Sequence, residues 1–185
     1  MAGLTDRGGD DALLARIARG DAAAVRQMVR TKLPRVLALA TRLIRDRAEA
    51  EDIAQEVFVR AWAHAGRWQP GRARLDTWLH TVTLNLCRDR LRKRVDIPAA
   101  TLPDRPDPAP TAERRLIDAG RDHAVAMAIH ALPERQREAI VLAHYQGLSN
   151  PEVAAALATS VEAVESLLAR ARRSLRRTLT ERDDD

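Results

Sequence analysis

The segment Asp46-Arg-Ala-Glu-Ala-Glu-Asp-Ile-Ala-Gln-Glu56 gathers five carboxylates and one arginine, a net charge of −4. Paired carboxylates at helical spacing could trade protons as a general acid and base. No His, Ser or metal-ligand set accompanies them. His80 and Cys87 are seven apart, as are His123 and His130, and each pair could approach on one helix face. Two ligands do not make a zinc site. Cys87 is the single cysteine, which excludes an internal disulfide and a cysteine cluster. There is no Gly-rich phosphate loop and no nucleophile–base pair. The sequence therefore points away from catalysis, and no catalytic residue, metal or cofactor is expected.

Binding is the chemistry that remains, in three constellations. On a helix, Asp52, Gln55, Glu56 and Val59 share one stripe beside an apolar stripe of Ile53, Val57 and Ala61. That stripe is either a solvated face with dipole-friendly acids or a docking surface for a basic partner. Gly66 to Val95 is the opposite, with eight Lys/Arg, two acids and a net charge of +6. Thr81, Asn85, Arg88 and Arg92 form a polar stripe there, suited to base edges and phosphates. Leu75, Trp78, Leu79, Val82 and Leu86 form a core stripe, and Leu84, Cys87 and Leu91 a second apolar one, which leaves one side of the helix free. Trp68, in an Arg-rich Gly/Pro loop, could stack on an extruded base or anchor packing. Third, Leu148 to Leu157, Ala-Thr-Ser and Val161 to Arg177 read as a short helix, a tight turn and a long basic helix. That is a helix-turn-helix. Val164, Leu168, Ala171 and Leu175 make its core face, with Arg170, Arg173, Arg176 and Arg177 opposite, placed for phosphates.

The elements that hold these residues are helices. The chain of 185 residues is rich in Ala, Leu and Arg and only 3% aromatic, and no alternating β-branched run suggests a strand. The expected fold class is all-α, as two small helical domains joined by a Pro-rich linker. Met1–Asp10 is expected to be loose. The first domain covers 11–95. Asp21 caps a helix that Pro34 should kink or break near Leu33. Asp46 and Glu49 form a capping box for a helix ending near Gly66, and a last helix runs from about Asp76 to Arg94. The linker, 96–111, holds five of the nine prolines. The second domain covers 112–180. Pro133 starts a helix ending at Gly147, Ser149 and Glu152 form a capping box, and Ser160 caps the final helix. An acidic tail, 181–185, is expected to fray. The net charge of +5 attracts polyanions, nucleic acid first. Met1–Asp10 lacks an apolar signal core and no stretch nears the roughly 20 apolar residues of a bilayer span, so a cytoplasmic protein is expected.

The three constellations, in this order, resemble the extracytoplasmic-function (ECF) sigma factors of bacterial RNA polymerase. The matching stretches are Asp46-Arg-Ala-Glu-Ala-Glu-Asp-Ile-Ala-Gln-Glu-Val-Phe-Val-Arg-Ala-Trp62, Leu75-Asp-Thr-Trp-Leu-His-Thr-Val-Thr-Leu-Asn-Leu-Cys-Arg-Asp-Arg-Leu-Arg92 and Leu132-Pro-Glu-Arg-Gln-Arg-Glu-Ala-Ile-Val-Leu142, which leads into the helix-turn-helix.

The resemblance implies a promoter-specificity subunit, of the kind used in stress responses, with no catalytic site. Asp52, Gln55 and Glu56 would dock on the clamp helices of the polymerase β′ subunit. Arg67, Trp68, Arg72 and Arg74 would lie near the flipped base of the minus-ten element, with Thr81, Asn85, Arg88 and Arg92 on its DNA face. Unstacking costs only a few kcal/mol per step, so strand capture can offset it without ATP. The second domain would sit on the β flap and read the minus-thirty-five element through Ser149, Ser160, Glu162, Glu165, Ser166, Arg170, Arg173, Arg176 and Arg177. The linker would thread toward the RNA exit path, where Asp96, Asp104 and Asp107 are compatible with mimicking RNA. Minimal members of this kind lack the further promoter-contacting domain of larger sigma factors, and none is expected here. The resemblance also implies an anti-sigma factor as partner, a compact arrangement when inhibited, an extended one on polymerase, and a monomer when free.

Two departures bear on promoter choice. Ala158 stands in the turn where Gly is common, a left-handed position that strains other residues. Glu165 and Leu167 stand early in the recognition helix where Lys and Arg are common. Glu165 could accept from a cytosine amino group, and Leu167 borders the core stripe. The alternative is a stand-alone dimeric helix-turn-helix regulator, which would bind duplex DNA without polymerase. An enzyme with an appended DNA-binding domain is the third reading, and the missing catalytic constellation weighs against it.

Overall fold

Asp21 opens the long second helix by accepting from the backbone N–H groups of Ala23 and Ala24 at 2.8 and 3.1 Å. It belongs to a computed structural model that describes residues 7–95 and 123–183. Eight helical segments follow one another, and no strand occurs among the described residues. They are α1 (Arg7–Ala18), α2 (Ala22–Ile44), α3 (Arg47–Ala65), α4 (Leu75–Val95), α5 (123–131), α6 (Glu134–Ile140), α7 (Asn150–Leu157) and α8 (Val161–Asp183). A π-helical turn, Val141–Tyr145, extends α6. The all-α expectation holds.

The first unit packs α1 to α4 around Leu14, Ile17, Met28, Leu39, Ile53 and Leu79, all buried. Lys32 of α2 is buried at 7% exposure and needs neutralising partners there. Asp10 of α1 and Asp76 of α4 supply them at 3.0 and 2.8 Å. This triad ties three helices together and fixes where α4 begins. It also corrects one expectation: residues 7–10 form the first turn of α1, because Asp10 is drawn to the buried ammonium.

Pro34 does not break α2, which runs unbroken to Ile44. The carbonyl freed by the missing N–H belongs to Arg30. Both residues face solvent, where water can satisfy it, while Met28, Val36 and Leu39 hold both halves in the core.

In the second unit Ser149 and Glu152 close the expected capping box and Ser160 accepts from Ala163 N at 3.2 Å. Val153, Leu157, Val164, Leu168 and Ala171 form its core. Ala158 takes φ 50°, the left-handed conformation anticipated for the turn. α8 continues to Asp183, beyond the expected end near Thr180. The linker 96–111 and the segment 112–122 lie outside the described residues, as do residues 1–6 and 184–185. The two units, expected as separate domains on a tether, pack directly on each other: α4 lies against α7, and α2 against the π-helical turn.

Candidate nucleic-acid interface

The acidic helix forms, with half of the expected capping box: Asp46 caps α3 by accepting from Glu49 N at 3.0 Å, while the Glu49 carboxylate turns to Arg94 of α4 at 2.9 Å. Ile53, Val57 and Ala61 are buried. Asp52 and Gln55 are exposed, while Glu56 is partly covered by its pairing with Arg60 one turn on. Beside them runs an open apolar groove of about 490 Å³ between α2 and α3, lined by Val29, Leu33, Phe58, Val59 and Trp62, among others. Val59 and Trp62 stand 57% and 60% exposed, unusual for large apolar side chains. Gln55 and Glu51 lie on its border. The sequence showed Val59 on the Asp52 stripe, but Trp62 was the missed signal: an aromatic one turn after Val59.

The basic loop and α4 divide into several environments. Arg67 is exposed, and Arg72 is exposed with a 2.8 Å bond to Gln69. Trp68 is half-buried. Its indole N–H donates to Asp11 at 2.7 Å, and its ring meets Trp78 and His64 edge-on. These contacts fix the ring in place against the first unit. Along α4, Leu75, Leu79, Leu84, Leu86 and Cys87 are buried, so the two apolar stripes are real. Burial pushes the Cys87 thiol up to about 12, with nearby Glu138 adding to it, so it stays protonated. Asn85 and Arg92 are exposed, Arg92 paired with Asp89 at 2.6 Å. Thr81 is partly covered and donates to Thr77 O at 2.9 Å.

The side of α4 expected to be free is in part covered by the second unit. Arg88 donates through Nε and Nη2 to both carboxylate oxygens of Glu138 in α6, at 2.6 and 2.7 Å. The hydrogen bond to Glu138 holds the guanidinium firmly protonated despite partial burial. Arg74 donates to Oε1 of Glu152. Glu152 meanwhile accepts from Ser149 N and Oγ through Oε2, so one carboxylate caps α7 and grips the first unit. Farther along, Arg42 of α2 stacks over Tyr145 at 4.2 Å, and Gln146 donates to Arg35 O at 3.3 Å. His80 lies at 2% exposure with Nδ1 unpartnered. Burial pulls its pKa down, against the opposing pull of Asp76. Sequence reasoning missed Glu138, Tyr145 and Gln146. Each is a long-range partner that no local spacing marks.

The helix-turn-helix presents its expected face. Ser160, Glu162, Glu165, Ser166, Arg170, Arg173, Arg176 and Arg177 are all exposed along α8, and Ser149 is exposed at the start of α7. Hydrogen bonding to its own backbone N–H and to Ser160 lowers the Glu162 pKa. Leu167 packs against the core, as its position beside the core stripe suggested. No group of three or more potential metal ligands occurs among the described residues, and none of their helices is long and apolar enough to cross a membrane.

Comparison with known proteins gives these surfaces a context. The sigma-70 region 2 family matches residues 28–96, and the sigma-70 region 4 family matches residues 122–175. The ECF sigma factor SigE of Mycolicibacterium smegmatis is 36% identical over 166 residues, 86% of this chain and 64% of that protein. SigK of Mycobacterium tuberculosis is 32% identical over 177 residues, 91% of this chain and 92% of that one. A probable sigma factor of Xanthomonas campestris, RfaY, is 34% identical, and the chain spans only 38% of its length. CnrH, solved with the cytosolic domain of CnrY, superposes with a TM-score of 0.70 at 31% identity, over 93% of this chain and 97% of that one. RpoE of Bartonella quintana, solved with the anti-sigma factor NepR, gives 0.68 at 28% identity, over 84% and 96%. With both conserved regions matched in order and a relative of nearly equal extent, the chain belongs to the ECF sigma factors of RNA polymerase.

Proposed function

We propose that this chain binds core RNA polymerase, directs it to specific promoters and helps open them. The observation that carries the reading is the arrangement of three separate binding surfaces on a scaffold with no catalytic constellation among its described residues. The groove bordered by Glu51 and Gln55, with Asp52 and Glu56 on the same helix, docks the β′ clamp helices, with Val59 and Trp62 supplying apolar contact. Acids outside an apolar trough fit a basic amphipathic helix. Arg67, Arg72, Arg74, Thr81, Asn85, Arg88 and Arg92 meet the minus-ten element, and Trp68 frames that site from its packed position. The α8 face meets the minus-thirty-five element, its arginines fixing register on phosphates. The second unit rests on the β flap.

An anti-sigma factor holds the chain inactive in this reading. Bartonella RpoE was solved with the anti-sigma factor NepR and CnrH with the cytosolic domain of CnrY, and the superpositions cover 84% and 93% of this chain. Gel filtration with sigma-free core polymerase tests the proposal. The chain should co-elute with core, and only the complex should shift promoter duplex. A shift by the chain alone, with no co-elution, would favour the stand-alone regulator.

A further inference from the structure

We propose that Glu165 reads the amino group of a cytosine in the minus-thirty-five element, so that this chain selects a C·G pair at one fixed position. The inference deepens the reading above that the α8 face meets that element, and it rests on that reading.

In a helix-turn-helix the N-terminal residues of the second helix reach the base edges. α8 begins at Val161. Its first two turns expose Glu162, Glu165 and Ser166, and the first cation is Arg170. The reading end therefore carries no guanidinium or ammonium for guanine O6 and N7, the commonest specific contact. It offers carboxylate oxygens and one hydroxyl instead.

The two carboxylates are not equivalent. Glu162 is committed to the start of the helix, where bonds to its own backbone N–H and to Ser160 lower its pKa. Glu165 makes no hydrogen bond or ion pair among the described residues. The residues three and four away from it along the helix are Val161, Glu162, Leu168 and Ala169. None is a cation, and the Glu162 charge repels it at a spacing that destabilises a helix. It also lies beyond the first turn, where the favourable field of the helix N-terminus fades. Helix stability gives no reason for a carboxylate at this position, whereas a hydrogen-bond donor in the major groove does.

An ionised carboxylate only accepts. The donors along the major groove are cytosine N4 and adenine N6, and adenine sets its N7 acceptor beside the donor. Cytosine is therefore the edge that a lone carboxylate matches. Guanine O6 and N7 and thymine O4 would meet it acceptor to acceptor, so the group that selects cytosine also rejects the alternatives. Its repulsion from nearby phosphates is offset by Arg170, Arg173, Arg176 and Arg177, all exposed farther along α8. Affinity rests on the arginines and choice on the acid.

The test is promoter-library selection with sigma-free core polymerase and three full chains: wild type, Glu165→Gln and Glu165→Lys. The library is barcoded and randomised across the upstream element. Circular dichroism checks folding, and either variant decides alone if the other fails to fold. The wild type should favour cytosine at one position by about tenfold. The glutamine amide pairs with adenine N6 and N7, so Glu165→Gln should move that position to adenine, and Glu165→Lys should move it to guanine. The other positions should keep their bases. A side chain acting only on folding or on phosphate attraction would change yield at all promoters alike and leave that base unchanged.

The same upstream bases in all three chains would overturn the assignment and leave the proposed function standing. A wild-type element with no selected cytosine, or a variant shift scattered over the whole element, would do the same. No chain-dependent transcripts from the wild type would overturn the proposed function, and the assignment with it.

Discussion

Arg88 and Glu138 lie fifty residues apart in sequence and meet through two hydrogen bonds of 2.6 and 2.7 Å. One belongs to the helix that carries the candidate minus-ten stripe, the other to the helix-turn-helix unit. The pair shows why the surfaces cannot be understood one at a time. A guanidinium suited to phosphate is also suited to carboxylate, and the fold supplies the carboxylate.

The docking groove makes the first prediction. Asp52→Arg with Glu56→Arg should weaken core polymerase binding by about a hundredfold or more, because like charges then face the basic partner. Folding should persist: Asp52 is exposed, and the Glu56–Arg60 pair it sacrifices is a surface one worth roughly 0.3–0.5 kcal/mol. Trp62→Ala should weaken the same binding without a charge change. Equilibrium binding to fluorescent core enzyme checks both. Normal affinity in a folded double variant would remove the groove from the account.

The DNA surfaces make the second. Arg173 is exposed on the outer face of α8. Arg173→Ala should weaken binding of the polymerase complex similarly at different promoters and reduce the salt-dependence slope by about 1. Asn85→Ala should instead change which minus-ten sequence is preferred, since an amide can read base edges. Promoter-library selection separates the two. A change in sequence preference from Arg173→Ala, or none from Asn85→Ala, would reverse the assignment.

Ala158 sets the third. It ends α7 at φ 50° and ψ 53°. Left-handed backbone costs an L-residue roughly 1–2 kcal/mol, part of which glycine returns as greater entropy of the unfolded chain. Ala158→Gly should therefore stabilise by about 0.5–1 kcal/mol, readable as a higher denaturant midpoint at unchanged slope. A lower midpoint would mean that the turn relieves the strain in some other way.

Acid supplies the fourth. Burial, with the charges of Arg137 and Arg45, pulls the His130 pKa down to about 4, and burial lowers that of His80. Unfolded imidazoles titrate near 6.5. Below that pH the unfolded chain binds more protons than the folded one, so stability falls as pH drops from about 6.5 toward 4 and is level above. The lowered carboxyls of Asp76 and Glu152 add loss of the same sign at the acid end. Thermal midpoints across this range should decline, and His130→Gln should flatten the decline. A midpoint that rises on acidification would contradict the burial of these rings.

What the sequence made legible was local. Caps at Asp21, Asp46, Ser149 and Ser160 announce themselves within three residues, and the stripes on α3, α4 and α8 follow from helical period alone. What it hid was long-range. Lys32 looks like any surface lysine until Asp10 and Asp76 surround it. Pro34 reads as a breaker because the solvent exposure that makes it harmless is a tertiary fact. Glu138 reads as one acid among several, and only packing of the two units gives it Arg88.

The most direct measurement is transcription reconstituted from this chain, sigma-free bacterial core polymerase and a library of genomic promoters, with the transcripts sequenced. The account predicts discrete start sites that depend on the chain and share two spaced upstream elements. No chain-dependent transcripts, together with specific binding of duplex DNA by the chain alone, would contradict it.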